Sequence, residues 1–116
     1  MREVTSEQVQ EALERVGVQP GDGVLVHSAI QFLGRPQGGI EIYLQALSAA
    51  LALPEQGTLA VPAFNFRFAR GQAFDPRSTP AAGMGVFSEY VRQQPDALRT
   101  CHPMQSLAVI GIHADE

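Results

Sequence analysis

Apolar residues recur along this chain in two rhythms that alternate from one end to the other. Val9, Ala12, Leu13 and Val16 fall on one face of a helix. Val4-Thr5-Ser6-Glu7-Gln8-Val9 supplies its start, with Thr5 as the cap, Gln8 reaching back from three residues on, and Val4 packing on Val9. Gly17 and Pro20-Gly21 end it near Val16. Gly23-Val24-Leu25-Val26-His27 is a short apolar, β-branched run of the kind that forms a buried strand. Helical spacing returns after Gly38-Gly39 with Ile40, Tyr43, Leu44, Leu47 and Leu51, closing near Leu53-Pro54. A second strand is expected at Gly57-Thr58-Leu59-Ala60-Val61-Pro62, stopped by Pro62 because proline cannot donate to a ladder. A third helix around Val86-Phe87-Ser88-Glu89-Tyr90-Val91-Arg92 ends at Pro95, and Leu107-Ala108-Val109-Ile110-Gly111-Ile112 reads as a third strand.

Strands that alternate with helices predict parallel pairing through right-handed crossovers, hence an α/β fold with a parallel or mixed central sheet and flanking helices. Between the second strand and the third helix, Ala63 to Ala82 carries Asn65, two Gly/Pro signals and the aromatic residues Phe64, Phe66, Phe68 and Phe74, without a clean period. Loops of this length in compact domains are usually functional or disordered, and aromatic density favours function. Apolar parallel strands need cover on both faces, yet only three strands and three helices are expected here. Residues 1–116 therefore read as part of a single larger domain, incomplete as they stand.

Composition narrows the classes. A chain of 116 residues with 45% hydrophobic residues fits one domain, and a domain of that size buries about two-thirds of its unfolded surface. The net charge of -4, with no cluster of Lys or Arg, speaks against a nucleic-acid partner, whose phosphates need a concentrated basic face. It gives weak support to a cationic substrate held in a negatively lined cleft. A single cysteine forms no internal disulfide, and no basic start leads into a continuous apolar run. Neither a secretory signal nor a membrane span is expected, which leaves the cytoplasm.

Candidate chemistry gathers at two corners that join a histidine and a hydroxyl to an apolar strand. The first, His27-Ser28-Ala29-Ile30, follows the first strand at its carboxyl end, where ligands bind in open α/β sheets. His27 and Ser28 serve equally to satisfy backbone groups there. The second corner is Arg99-Thr100-Cys101-His102-Pro103-Met104-Gln105-Ser106, in which Pro103 restricts His102 and directs it towards the following strand. Histidine can relay protons near neutrality, and it is as often a loop anchor. Cys101 and His102 are neighbours in an extended segment and point to opposite sides, so the thiol reads as a small apolar group rather than a nucleophile. Glu89 and Arg92 share a helix face as a surface ion pair or as part of a cleft. Asp75 in Phe74-Asp75-Pro76 is first of all a turn former. Core packing is the simpler account for at least half of the four loop phenylalanines. Gly34, Gly38 and Gly39 follow no phosphate-binding fingerprint, and the dispersed His27, His102 and His113 propose no metal.

Five blocks in order and spacing resemble the aminoglycoside 3-N-acetyltransferase family: Gly21-Asp22-Gly23-Val24-Leu25-Val26-His27-Ser28, Gly57-Thr58-Leu59-Ala60-Val61-Pro62-Ala63-Phe64, Phe74-Asp75-Pro76, Glu89-Tyr90-Val91-Arg92, and Arg99 to Ser106. The resemblance covers essentially the whole chain. It implies a central mixed sheet, acetyl-coenzyme A as donor with no metal, and the 3-amino group of a 2-deoxystreptamine aminoglycoside, or another amine, as acceptor. The amine would attack the thioester directly, without a covalent acyl-enzyme. On this resemblance His27, Ser28, Ala29, Ile30, Pro62, Phe64 and Ser106 would bind the donor. Asp75, Glu89 and Arg92 would meet the acceptor, and Glu89 and His102 would take part in catalysis. Members of the family continue beyond the point matching Glu116, into an Asn-Thr-x-x-His-like block with a histidine thought to be catalytic. This sequence also departs from the family at Ala29, where a second serine is common, and at Cys101, where a hydroxylic or small residue is usual.

Two further readings follow. The chain would bind coenzyme A yet catalyse nothing, because the missing segment supplies the base. Alternatively it is a partial product or interaction module whose unfinished sheet self-associates through an open edge.

Overall fold

The computed structural model describes residues 2–115, apart from the side chain of Phe68. Helix α1 (Ser6–Arg15) begins as its sequence requires: the Thr5 hydroxyl accepts the Gln8 amide at 3.2 Å, and the Gln8 side chain accepts the Thr5 amide at 3.0 Å. Val16 caps its far end and Gly17, at φ 97°, turns the chain out of the helix. The apolar face is narrower than its spacing suggests. Val9 and Leu13 lie against the core, whereas Ala12 and Val16 are exposed, because α1 packs at the periphery on the second helix.

That helix, α2 (Glu41–Leu51), buries Ile42, Tyr43, Ala46, Leu47, Ala50 and Leu51. A short two-stranded ribbon of β1 (Glu3–Val4) and β3 (Arg35–Pro36) ties the N-terminus beside it. Between those two strands in sequence runs β2 (Gly23–Leu25), which ends two residues earlier than expected. The main sheet adds β4 (Thr58–Pro62), β5 (Leu98–Arg99) and β6 (Leu107–Gly111), in the order β2-β4-β6-β5. Helix α3 (Val86–Arg92) precedes β5.

The sheet is mixed. β2 and β4 are parallel, but β6 runs antiparallel to β4, with Leu59 opposite Ile110 and Val61 opposite Ala108. The expected crossover through α3 lands on the two-residue β5 instead. The chain then turns back through residues 100–106, and β6 inserts between β4 and β5 as the second arm of a hairpin.

Alternation along the strands decides what is buried. Leu59, Val61, Ala63, Ala108 and Ile110 face α2 and α3 and form one core with Leu47, Leu51, Phe87 and Val91. The register places Leu25, Ala60, Val109 and Leu98 in a row across the opposite face, outside that core, with Leu25 63% and Leu98 49% exposed. The stretch after β4 is not wholly irregular. It contains a short 3-10 helix, Phe66–Arg70, and a second such turn, Ile30–Phe32, follows the first strand-end corner. Among the described residues no helix is long and apolar enough to cross a membrane.

Candidate functional site

The carboxyl end of β2 and that of its parallel neighbour β4 lie on one side of the sheet, and the candidate residues collect there. Val26 still donates to the Ala60 carbonyl at 2.9 Å, so the chain leaves the sheet at His27, which is exposed. Ser28 is half-buried, and its Oγ is buried without a hydrogen-bond partner among the described residues. Ala29 is exposed and Ile30 joins the core. Gly85, at φ 90°, starts α3 directly against this corner; a Cβ there would lie 2.9 Å from the Ser28 carbonyl oxygen.

Beside it, the β4–β6 pairing outlasts the strands. Pro62 is buried opposite Leu107, Ala63 donates to the Ser106 carbonyl at 2.9 Å, and Asn65 donates to the Met104 carbonyl at 3.1 Å. Ser106 is wholly buried. Its hydroxyl donates to the Ala63 carbonyl at 3.0 Å and accepts from Arg99 Nε at 2.9 Å, so it serves the fold internally. Phe64 is half-buried and stacks edge-on against the exposed Phe66, with ring centres 6.2 Å apart. Phe74 is half-buried under the Arg99 guanidinium, 4.9 Å away. None of these three belongs to the core, which corrects the packing account of the loop aromatics; the Phe68 side chain lies outside the described residues.

The loop that carries Asp75 is closed across its own base. Asn65 donates to the Pro80 carbonyl at 2.7 Å, and Ala82 donates to the Phe64 carbonyl at 2.9 Å. Asp75 is exposed and builds a turn: its Oδ1 accepts the Arg77 amide at 2.9 Å and its carbonyl accepts Thr79 at 2.9 Å. Glu89 and Arg92 pair in a fork, Nε to Oε1 at 2.6 Å and Nη2 to Oε2 at 2.7 Å. Oε1 of Glu89 also accepts the Ala81 amide at 2.9 Å, and Oε2 accepts Gln93 at 3.1 Å. Burial alone would push the Glu89 carboxyl up, but the Arg92 bond, the Ala81 amide and the Arg92 charge together hold it below its ordinary value. A carboxylate so engaged is a weak base.

His102 is exposed, and its Nδ1 accepts the amides of Met104 at 3.2 Å and Gln105 at 2.9 Å. With Nδ1 as acceptor, the neutral ring carries its proton on Nε2. Cys101 is exposed and does not share these bonds, in keeping with its extended neighbourhood. Asn65, Gly85 and Arg99 also shape the site, though the sequence assigns none of them a role of its own. Only the isolated charge of Arg99 beside an apolar strand offered a signal.

An α/β protein with a ligand-type corner at parallel strand ends is the class that this fold and site define. The chain belongs to the aminoglycoside 3-N-acetyltransferase family, whose profile matches residues 25–116. Aminoglycoside N(3)-acetyltransferase III of a Salmonella species is 29% identical over 122 residues, which cover 92% of this chain and 43% of that protein. The SPbeta prophage-derived aminoglycoside N(3')-acetyltransferase-like protein YokD of Bacillus subtilis (strain 168) is 26% identical, with 97% and 48% covered. The crystal structure of aminoglycoside acetyltransferase AAC(3)-IVa, an apoenzyme, matches with a TM-score of 0.86 at 29% identity, covering 99% of this chain and 44% of that one. AAC-IIIb in a binary complex with CoASH shares the fold, with a TM-score of 0.85 at 24% identity. This chain spans less than half the length of these relatives.

Proposed function

We propose that this chain forms the first part of an acetyltransferase domain that moves an acetyl group from acetyl-coenzyme A to the 3-amino group of a 2-deoxystreptamine aminoglycoside, in the cytoplasm. The observation that carries the reading is the buried, unpartnered Ser28 Oγ just past β2: a buried hydroxyl left unpaired costs about 1–3 kcal/mol unless a ligand or water meets it, and unlike Tyr43 and Ser88, which share that state on helices, Ser28 stands at a strand-end corner. His27, Ser28, Ala29 and Ile30 would hold the donor, with Pro62 and Phe64 beside its acyl end. Two solved relatives support the substrates: AAC-IIIb was captured with CoASH and AAC-VIa with sisomicin.

The reaction needs a neutral amine, a polarised carbonyl and a protonated leaving thiolate. The nitrogen bonds to the acetyl carbon, the carbon–sulfur bond breaks, and the proton lost by nitrogen balances the one gained by sulfur. His102 would offer its Nε2–H as a hydrogen-bond donor, and would take up a proton only if Nδ1 released the Met104 and Gln105 amides. Glu89 contributes charge and, with Arg92, holds the wall on which Asp75 would receive an ammonium group. Ser106 supports the donor side by fixing the Ala63 carbonyl.

Thermal melting of the purified chain with acetyl-coenzyme A tests the reading. A ligand at about 100 times its dissociation constant stabilises by roughly 2.7 kcal/mol. An upward shift that Ser28→Ala removes is expected; no shift overturns the donor site. A shift without release of free thiol in the presence of apramycin favours a donor-binding portion that lacks its base. Other amines are tested by the same thiol release.

A second reading rests on the row of Leu25 and Leu98, exposed on the face opposite the core, and on β2, which pairs with β4 alone among the described residues. Both favour self-association at this side of the sheet. Sedimentation of the wild type against Leu25→Glu decides it.

A further inference from the structure

Segment 63–82 has little regular structure of its own, yet two guanidiniums reach into it from later in the chain: Arg92 Nη1 donates to the Arg77 carbonyl at 3.3 Å, and Arg99 makes the larger set of bonds. Arg99 stands on β5, opposite Ala108 in the register, and so on the face of the sheet that carries α3. Its Nε donates to Ser106 Oγ at 2.9 Å, and its Nη2 donates to the Ala63 carbonyl at 2.7 Å. Its Nη1 donates to the carbonyls of Thr79 and, at 3.5 Å, Pro76. The flat of the group covers the Phe74 ring. Five partners from the end of β4, the start of β6 and the Asp75 turn thus meet at one side chain.

We infer that Arg99 is the positioning residue of this site, holding the acceptor wall that bears Phe74 and Asp75 at a fixed separation from the strand-end corner at Ala63. The inference rests on the acetyltransferase reading for its functional part and on geometry alone for its structural part.

Geometry explains why arginine stands here. The acceptors lie on several sides of the group, and a planar fork with five N–H donors reaches them together, whereas a lysine ammonium concentrates its three donors at one atom. The charge is committed to neutral partners. Among the described residues no carboxylate lies within ion-pair distance of Arg99, and Glu89, whose charge acts on it, is already paired with Arg92. Burial first, and then the like charge of Arg92, lower the Arg99 pKa from its usual value. Placing a partly buried cation against carbonyls beside a second guanidinium is costly, and what offsets it is the set of bonds that ties this loop to Ala63 and Ser106.

Hydrogen exchange in the full chain, comparing wild type, Arg99→Lys and Arg99→Met, tests the structural part. In Arg99→Met the amides of Ser78, Thr79 and Ala82, which bond to Asp75 and Phe64 in the folded chain, are expected to exchange at least about tenfold faster, a change of roughly 1.4 kcal/mol in local opening. The amides of β4 should keep their protection. Arg99→Lys should restore at most part of the loop's protection. Unchanged loop amides in Arg99→Met, full rescue by lysine, or loop and ladder loosening together would each overturn the inference.

Apramycin and acetyl-coenzyme A, titrated separately, test the functional part. Arg99→Met should weaken apramycin binding at least about tenfold while acetyl-coenzyme A still raises the melting temperature, a split that general destabilisation would not produce. Equal weakening of both overturns the assignment to the acceptor wall. If the wild-type chain binds neither, the acetyltransferase reading fails, and the exchange measurement still decides whether Arg99 orders the loop.

Discussion

The Glu89 carboxylate accepts the backbone amide of Ala81 at 2.9 Å, so the first helical turn of α3 secures the end of the loop that precedes it. Because Arg92 grips the same oxygen at 2.6 Å, loop anchor and ion pair are one device.

The folded Glu89 carboxyl lies below its ordinary value of 4.5, so the stability it confers is complete at neutral pH. That contribution is lost as the pH falls through the depressed folded value. Glu89→Gln should lower stability by about 1–3 kcal/mol near neutrality, and its deficit should shrink as urea unfolding is repeated at about pH 3. A deficit that is constant with pH would mean that the ion pair plays no part.

Ser28 predicts opposite signs for stability and binding. Removing an unpartnered buried hydroxyl should leave the ligand-free chain level or raise it by up to about 1 kcal/mol. The same Ser28→Ala change should shrink the stabilisation by acetyl-coenzyme A. Loss of stability in the free chain would show that Ser28 Oγ is satisfied in solution.

At the His102 turn the expected ranking is wild type, then Asn, then Ala. His102→Ala deprives two amides of their acceptor and should cost about 1 kcal/mol in urea unfolding. His102→Asn keeps a short acceptor of the kind that closes such turns and should recover about half. If the Asn and Ala variants unfold alike, the ring does not fasten the turn.

A pair of glycines isolates the contact between α3 and the strand-end corner. Gly83 has open space where a Cβ would go, and Gly85 has the Ser28 carbonyl at 2.9 Å; both have positive φ. Gly83→Ala should cost about 1–2 kcal/mol from the backbone alone. Gly85→Ala should cost more and loosen exchange at residues 27–30. Equal costs would show that the corner yields freely.

Much of the frame was legible because it is local. Thr5 and Gln8 announce α1, and the apolar runs at Val24, Leu59 and Val109 mark strands whichever way they pair. The direction of β6 was not legible, since it depends on β5, whose two residues carry no periodicity and pair only in the assembled sheet. The site divided in the same way. The His27-Ser28 corner is visible as a strand end, and Asp75 as a turn. Nothing local in Leu98-Arg99-Thr100 reveals that Arg99 spans to Ala63 and Thr79, and the full engagement of Ser106 and Glu89 emerges only from partners distant in sequence.

The ladder that sets Pro62 against Leu107 also imposes an order of events. Phe64, Asp75, Glu89, Arg99, His102 and Ser106 all lie in the span between those two residues, whereas the His27-Ser28 corner precedes it, so the closing of that long loop precedes the reward of its contacts. Segment 63–82 gains its Arg99 and Ser106 anchors at Ala63 only once the hairpin of β5 and β6 has docked on β4. In pulse-labelled refolding, the Ala82 amide should gain protection no sooner than those of β4. The acceptor side of the site should thus mature after the strands that frame it and, on warming, be surrendered before them.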